Sequence, residues 1–329
     1  FLTLKTRSFL RKVSLGRTQI KVSSISLGTW AFGGASMSGK FSVGWSDQNK
    51  NNSKETLMRA WELNINHWDT ADVYGDGLSE SIIGGMWDVI PRQDIYIATK
   101  VGWDKGPHGY WYNPNHMRYN LERSLKNLRT DYVDIIYLHH CNFGKNEEYF
   151  DDAIETIRRF QDEGKARFIG LSDWYPSKIM NFIDRVDPDV IQPYRNVMDD
   201  TYKESGLRKI VDKNNIGVCF FSPLKHGLLT GKYKKPKIFR SGDHRSEKKE
   251  FSDEKIIKKM QNNKKELDSR FSFHKNPVMY GVINYLFTGS KNACVLLGQR
   301  NIDQVETAAL LGDVLPEKDY QWLKKLYST

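Results

Sequence analysis

The stretch HWDTADVYGDGLSE, residues 67 to 80, places Asp69 at the end of an apolar run and Tyr74 five residues later. Lys100 closes a second such run, IATK, and His139 with His140 closes a third, YLHH. A carboxylate, a phenol, an ammonium and an imidazole are the side chains that hold, donate and accept protons. Each taken alone reads more simply as an ion pair or as rim packing, because structural ion pairs also perturb pKa values. Four of them at the ends of neighbouring strands read as a proton-transfer centre.

Eight short β-branched or aromatic runs could supply those strands: 25–30, 65–71, 94–101, 133–140, 166–173, 189–194, 216–223 and 293–299. They are continuously apolar rather than alternating, as in parallel strands covered on both faces. The intervening stretches are helical in pattern. Asn113 before Pro114 forms a helix start, and Met117, Leu121, Leu125 and Leu128 then recur on one face. DDAIETIRRFQDEG ends at Gly164, a left-handed stop. Eight strand–helix units predict a single domain over 1–329, a (β/α)8 TIM barrel. No G-x-G-x-x-G follows the first strand, which argues against a doubly wound sheet.

Two segments fall outside the repeat. RKVSLGRTQIKV (11–22) has the pattern of an N-terminal β-hairpin turning at Leu15-Gly16, suited to closing the barrel bottom. Residues 234–275 interrupt the seventh unit as a long basic insertion after strand 7, with Ile256, Met260 and Leu267 spaced along one helical stripe. Its polarity predicts a partly mobile flap that could be deleted over 236–268 with the barrel still folded. EKDYQWLKKLY near the end predicts a final packing helix.

In such a barrel, chemistry gathers at the C-terminal strand ends. DTADVYG, ATK, YLHH, IGLSD, SPLKHGLLTGKY and LLGQRNIDQVE occur there in one order. On those motifs the chain resembles the aldo-keto reductase family from about residue 11 to 312. The resemblance implies NADPH-dependent reduction of an aldehyde or ketone, with Asp69, Tyr74, Lys100 and His139 as the catalytic set. The chemistry agrees. An alkoxide emerging from hydride transfer needs an acid, and a phenol has a pKa near ~10. An ammonium at ~4 Å and an effective dielectric of ~20 favours the phenolate by roughly 4 kcal/mol, enough to lower the phenol by about 2 to 3 pH units, less the opposing cost of desolvation. Asp69 would anchor Lys100, and His139 would direct the substrate oxygen toward Tyr74.

The resemblance also implies a nicotinamide dinucleotide. Ser172, Asp173 and Gln192 would hold its carboxamide, and Phe221 would stack on its ring. Ser222, with backbone around Leu224 and Gly227, would meet the pyrophosphate. Gly298, Arg300 and Gln304 follow the eighth strand, where Arg300 could pair with a ribose 2′-phosphate and favour NADP(H); Lys232 would add attraction. Asp173 stands where the family usually has asparagine, and LHHCN departs from the usual strand-four ending, which bears on His140. Trp30, Trp103 and His140 are expected at the substrate wall. The aromatics of GYWY (109–112) fit either that wall or a contact with another subunit.

Composition bounds partners. The chain has 329 residues, is 39% hydrophobic and carries a net charge of +10. Residues 234–275 hold 14 Lys or Arg against 7 Asp or Glu, so seven of those ten charges fall in 42 residues. That pattern fits a flap over an anionic ligand, and no aromatic-interleaved platform for nucleic acid is present. No run approaches a membrane span, and FLTLKTRSFL, broken by Lys5 and Arg7, lacks a secretory core. Cys141, Cys219 and Cys294 are far apart in sequence, so neither a disulfide framework nor a metal site is expected, and a cytoplasmic setting follows. A homo-oligomer is compatible with the chain. A metal-dependent hydrolase using His67, Asp69, His139 and His140 is disfavoured, because residues 139 and 140 should point oppositely on a strand. The alternative from a different class is an NADP(H)-binding regulatory subunit with slow turnover, a role that this family also fills for potassium channels.

Overall fold

In a computed structural model, residues 10–103 and 108–328 are described. The opening segment with Lys5 and Arg7 lies outside them. Eight parallel strands close a barrel: β1 (Ile25–Gly28), β2 (His67–Asp69), β3 (Tyr96–Val101), β4 (Val133–Leu138), β5 (Ala166–Asp173), β6 (Val190–Pro193), β7 (Gly217–Phe220) and β8 (Ala293–Gly298). Each pairs with its chain neighbour, and β8 pairs with β1 to shut the ring. Alternation sorts the side chains. Trp68, between His67 and Asp69, turns outward, is fully buried and stacks on Trp87 at 6.1 Å.

Helices cover the outside. Helix Pro114–Leu128 starts where expected, with the Asn113 side chain accepting from the Asn115 N–H. Its Met117, Leu121 and Leu128 are fully buried, each contributing about 2 kcal/mol of apolar burial. Helix Phe150–Asp162 stops just before Gly164, whose φ is +72°. Helix Glu317–Tyr327 packs back through Tyr320, Leu323 and Tyr327.

The predicted hairpin forms from Lys12–Ser14 and Lys21–Ser23, antiparallel. Val13, Leu15, Ile20 and Val22 pack against Ala98, Ile135, Val190, Cys219 and Cys294 inside the barrel, so the hairpin plugs its lower end. Gly16 turns the chain at φ +55°, and a Cβ there would lie 2.2 Å from the Gly217 nitrogen. Only glycine tolerates both constraints.

The basic insertion departs from the expected mobile flap, because it is folded onto the body. It contains turns His244–Glu247 and Lys249–Phe251 and the helix Glu254–Arg270. The buried stripe of that helix is Ile257, Met260, Asn263 and Leu267; Ile256 is only half-buried. Phe251, Ile257, Met260 and Leu267 belong to the main core. Deleting 236–268 would therefore expose apolar core surface, contrary to the expectation of an untouched barrel.

Candidate active site

β2 and β3 carry Asp69 and Lys100 to the upper barrel interior. The Lys100 Nζ donates to Asp69 Oδ1 at 2.5 Å and to the Thr70 carbonyl at 2.7 Å. Both charged groups are almost fully buried, at 1% exposure. The same ammonium lies 3.2 Å from the Tyr74 hydroxyl. Gln192 on β6 donates to the other Asp69 oxygen at 2.8 Å. With its two oxygens held by Lys100 and Gln192, the carboxylate fixes the ammonium, and the ammonium faces the phenol.

The electrostatic balance at Tyr74 differs from the sequence expectation. Burial pushes its pKa above the ordinary value, and the nearby Lys100 only partly offsets that rise. The reason is that Lys100 is already neutralised by Asp69, whose own charge also opposes the phenolate. Tyr74 is therefore a firmly protonated phenol at neutral pH. Burial works to lower Lys100, yet Asp69 and Tyr74 carry it above its usual value. His139 is driven well below the usual imidazole range by burial, then by Lys100 and His140, so it is neutral. Its Nδ1 has no hydrogen-bond partner among the described residues. Burial and Lys178 depress His140 to about 3.

Tyr74, His139, His140 and Gln192 open into one cavity of about 1330 Å³, larger than the ~300–1,000 Å³ typical of small-ligand pockets. Trp30, in the turn after β1, stacks on Tyr74 at 5.9 Å. Trp103 meets His139 and His140 at 5.3 and 5.6 Å. His139 and His140 both line this cavity, because they lie beyond the regular end of β4. The GYWY aromatics pack on their own chain: Tyr110 on Tyr149, Trp111 on His140, and Tyr112 against Phe143 in the core.

The expected cofactor residues divide into two groups. Ser172, Asp173, Gln192 and Phe221 line the cavity. Asp173 accepts from the backbone N–H groups of Cys141 and Tyr175, each at 2.8 Å, which ties β4 to β5. Burial nevertheless raises its pKa. The second group follows β7 and β8. Ser222, Lys225 and His226 all have positive φ, with Gly227 at +89°. Strained non-glycine backbone of this kind clusters at ligand clamps. Leu224 accepts from the Gly227 N–H at 3.0 Å. Lys232 is lowered by burial and then by Arg245, Arg300 and Lys237, so cations face one another there. Arg300 donates to the Ser46 and Asp47 carbonyls at 2.7 and 2.6 Å and to Gln48 at 3.0 Å. Gln304 accepts from the Arg300 N–H at 2.9 Å, and Gly298 is exposed. Arg245 there is itself ion-paired with Asp243, and Ser222, Leu224, Gly227, Lys232, Gly298, Arg300 and Gln304 are not among the residues that line the cavity.

Several site residues have no sequence signal. Trp174 meets Phe221 edge-on at 4.9 Å, and His244, from the insertion, lies 5.0 Å from Trp30 and 4.9 Å from His226. Tyr194 and Lys248 complete that wall. They come from separate parts of the chain, and only folding places them together. The view of the cysteines as unrelated is also corrected. Cys219 and Cys294 are register partners on β7 and β8, and His67 joins them. Hydrogen bonding to Cys294 and burial raise the Cys219 thiol well above its usual range. Cys141 stays apart and buried. Among the described residues, Asp69, His139 and His140 take part in no cluster of metal-ligand spacing, and no helix is long and apolar enough to cross a membrane.

Comparison with known proteins agrees with this geometry. L-galactose dehydrogenase of Arabidopsis thaliana is 34% identical over 225 residues, 66% of each chain. A probable voltage-gated potassium channel subunit beta of Oryza sativa subsp. japonica is 32% identical over 237 residues, 68% of this chain and 67% of that one. The glycerol dehydrogenase AKR11B4 of Gluconobacter oxydans superposes with a TM-score of 0.78 at 24% identity, covering 96% of this chain and 94% of the other. The sequence profile of the Aldo/keto reductase family matches residues 24–328, and with the barrel and its buried Asp69–Lys100–Tyr74 centre this places the chain in the aldo/keto reductase family of NAD(P)-dependent oxidoreductases.

Proposed function

We propose that the protein reduces an aldehyde or ketone to the alcohol with NADPH, and that Tyr74 is the proton donor. One observation carries the reading: a buried ammonium contacts both Asp69 and the Tyr74 hydroxyl at the floor of a cavity large enough for a cofactor and a substrate. NADPH would supply a hydride to the carbonyl carbon. Ser172, Asp173, Gln192 and Phe221 would hold its nicotinamide end, and Lys232 and Arg300 would add positive charge toward its phosphates.

Tyr74 donates its proton to the carbonyl oxygen as negative charge builds there. Lys100 faces the resulting phenolate and stabilises it more than it stabilises the phenol, so its contribution falls on the transition state. Asp69 and Gln192 keep the ammonium in place. Neutral His139 adds no competing positive charge and offers a ring nitrogen to orient the substrate oxygen. Trp30, Trp103 and Trp111 make the wall apolar and shield the reacting atoms from water.

NADPH consumption against a panel of carbonyl compounds tests the assignment. Tyr74→Phe is expected to keep cofactor affinity and lose roughly 100-fold or more in rate. Unchanged activity in this variant would remove Tyr74 as the donor. The resemblance to a channel β-subunit favours a second reading, a slow NADP(H)-binding regulatory subunit. Stopped-flow oxidation of bound NADPH by a reactive aldehyde separates the two: repeated turnover supports the reductase, and one slow turnover supports the regulator.

A further inference from the structure

His67 precedes Asp69 by two residues on β2, so it points into the barrel one layer below the reaction centre. In that layer Cys219 and Cys294 face each other from β7 and β8 as direct register partners. We propose that His67, Cys219 and Cys294 form a buried three-coordinate site for a soft monovalent cation, copper(I).

One ligand atom from each residue lies within 4.8 Å of the others, and the Cys294 sulfur is 3.8 Å from His67 Nδ1. An ion at their centre needs only about half an ångström of inward movement to reach a metal–sulfur bond of about 2.3 Å. The Ser26 hydroxyl lies 2.8 Å from the same His67 Nδ1 and has to turn away for that nitrogen to ligate. All three residues are fully buried, so water cannot fill an open coordination position. Hard ions such as magnesium need oxygen ligands and retained water. Zinc in a structural site takes four protein ligands. Two thiolates and one imidazole match a soft cation content with three.

Packing alone explains each thiol, because cysteine behaves as a small apolar residue. His67 is less simply placed: its Nδ1 is shared between the Ser26 hydroxyl and the Cys294 sulfur, and its other nitrogen, Nε2, is buried with no hydrogen-bond partner among the described residues, at a desolvation cost. The carbonyl chemistry above uses none of the three side chains. Loading replaces two thiol protons, released to solvent, with one copper(I); the imidazole lone pair makes the third bond and no oxidation state changes. The hairpin closes the barrel below this layer, so the ion enters during folding and exchanges slowly.

The test is anaerobic refolding of the full chain with copper(I), desalting against a chromophoric copper(I) chelator, and X-ray absorption on the retained metal. One copper per chain with two sulfur neighbours and one nitrogen is expected. Cys219→Ala and Cys294→Ala should each lower retention roughly tenfold or more, and Cys141→Ala should not. Absence of retained copper in the wild-type chain overturns the proposal, and that result does not depend on whether any variant folds. Wild-type retention in the Cys219→Ala or Cys294→Ala variant, or tighter retention of four-coordinate zinc, also overturns it.

Discussion

At Tyr74 two large effects oppose each other, and burial wins over the neighbouring ammonium. The sign has a direct kinetic consequence. A phenol raised above its ordinary pKa of about 10 stays protonated across neutral pH and loses its proton only as pH climbs past that value. With Tyr74 as the proposed donor, reduction should hold level through neutrality and fall in strong alkali, and alcohol oxidation should rise over the same alkaline range. His139 is neutral throughout, because its pKa lies well below the usual value. The profile of kcat/KM should therefore show no break near pH 6.5, where an ordinary histidine titrates. A break there would mean that an essential imidazole of the free enzyme titrates near neutrality and would remove this account of the site. The four candidate proton-transfer residues were legible because their types are chemically distinctive and they lie at strand ends or, for Tyr74, in the turn just after one. The direction of the Tyr74 shift was not, because desolvation depends on what encloses the ring.

The basic insertion is the element whose behaviour differs most from its composition. Polarity and a run of lysines describe a mobile segment, yet the chain there is clamped. Asp243 is fully buried and pairs with Arg245 at 2.6 Å. It also accepts from the Ser46 hydroxyl at 2.6 Å and the Ser46 N–H at 3.0 Å, joining the insertion to the loop after β1. Burial would raise this carboxyl, but Arg245 and Ser46 together hold it far below the ordinary carboxylate range. A depressed folded-state pKa stabilises the docked form above the unfolded carboxylate value of about 3.9 and loses that stabilisation as pH falls below it. Asp243→Asn leaves Arg245 buried without its partner, which should cost about 3 kcal/mol. Faster hydrogen exchange over 36–47 and 240–252 and a higher KM for NADPH are the expected readings. Unchanged exchange would show that the clamp lies elsewhere. The clamp also delivers His244 to the cavity wall, so docking and site shape are coupled.

For the whole molecule, closure of the barrel is the central constraint. Eight parallel strands leave no open edge, and the hairpin fills the lower mouth with Leu15 fully buried. Leu15→Ala should therefore destabilise the protein by about 2 to 5 kcal/mol, through lost burial and the cavity left behind. Chemical denaturation measures this. A loss under 1 kcal/mol would mean that the hairpin is an ornament rather than a plug.

The sequence by itself determined the fold class, the hairpin, the helices near 114–128, 150–162 and 317–327, and the candidates for proton transfer. These depend on local periodicity, turn chemistry and residue type, which are written along the chain. Only tertiary structure decided that Trp174, His226 and His244 wall the pocket. It alone showed that Arg300 is engaged by the Ser46 and Asp47 carbonyls, and that Cys219 and Cys294 lie side by side with His67. The physical reason is common to all three. Strand register and loop docking bring together residues that are far apart in sequence, and neither spacing nor composition encodes which atoms will share a buried space.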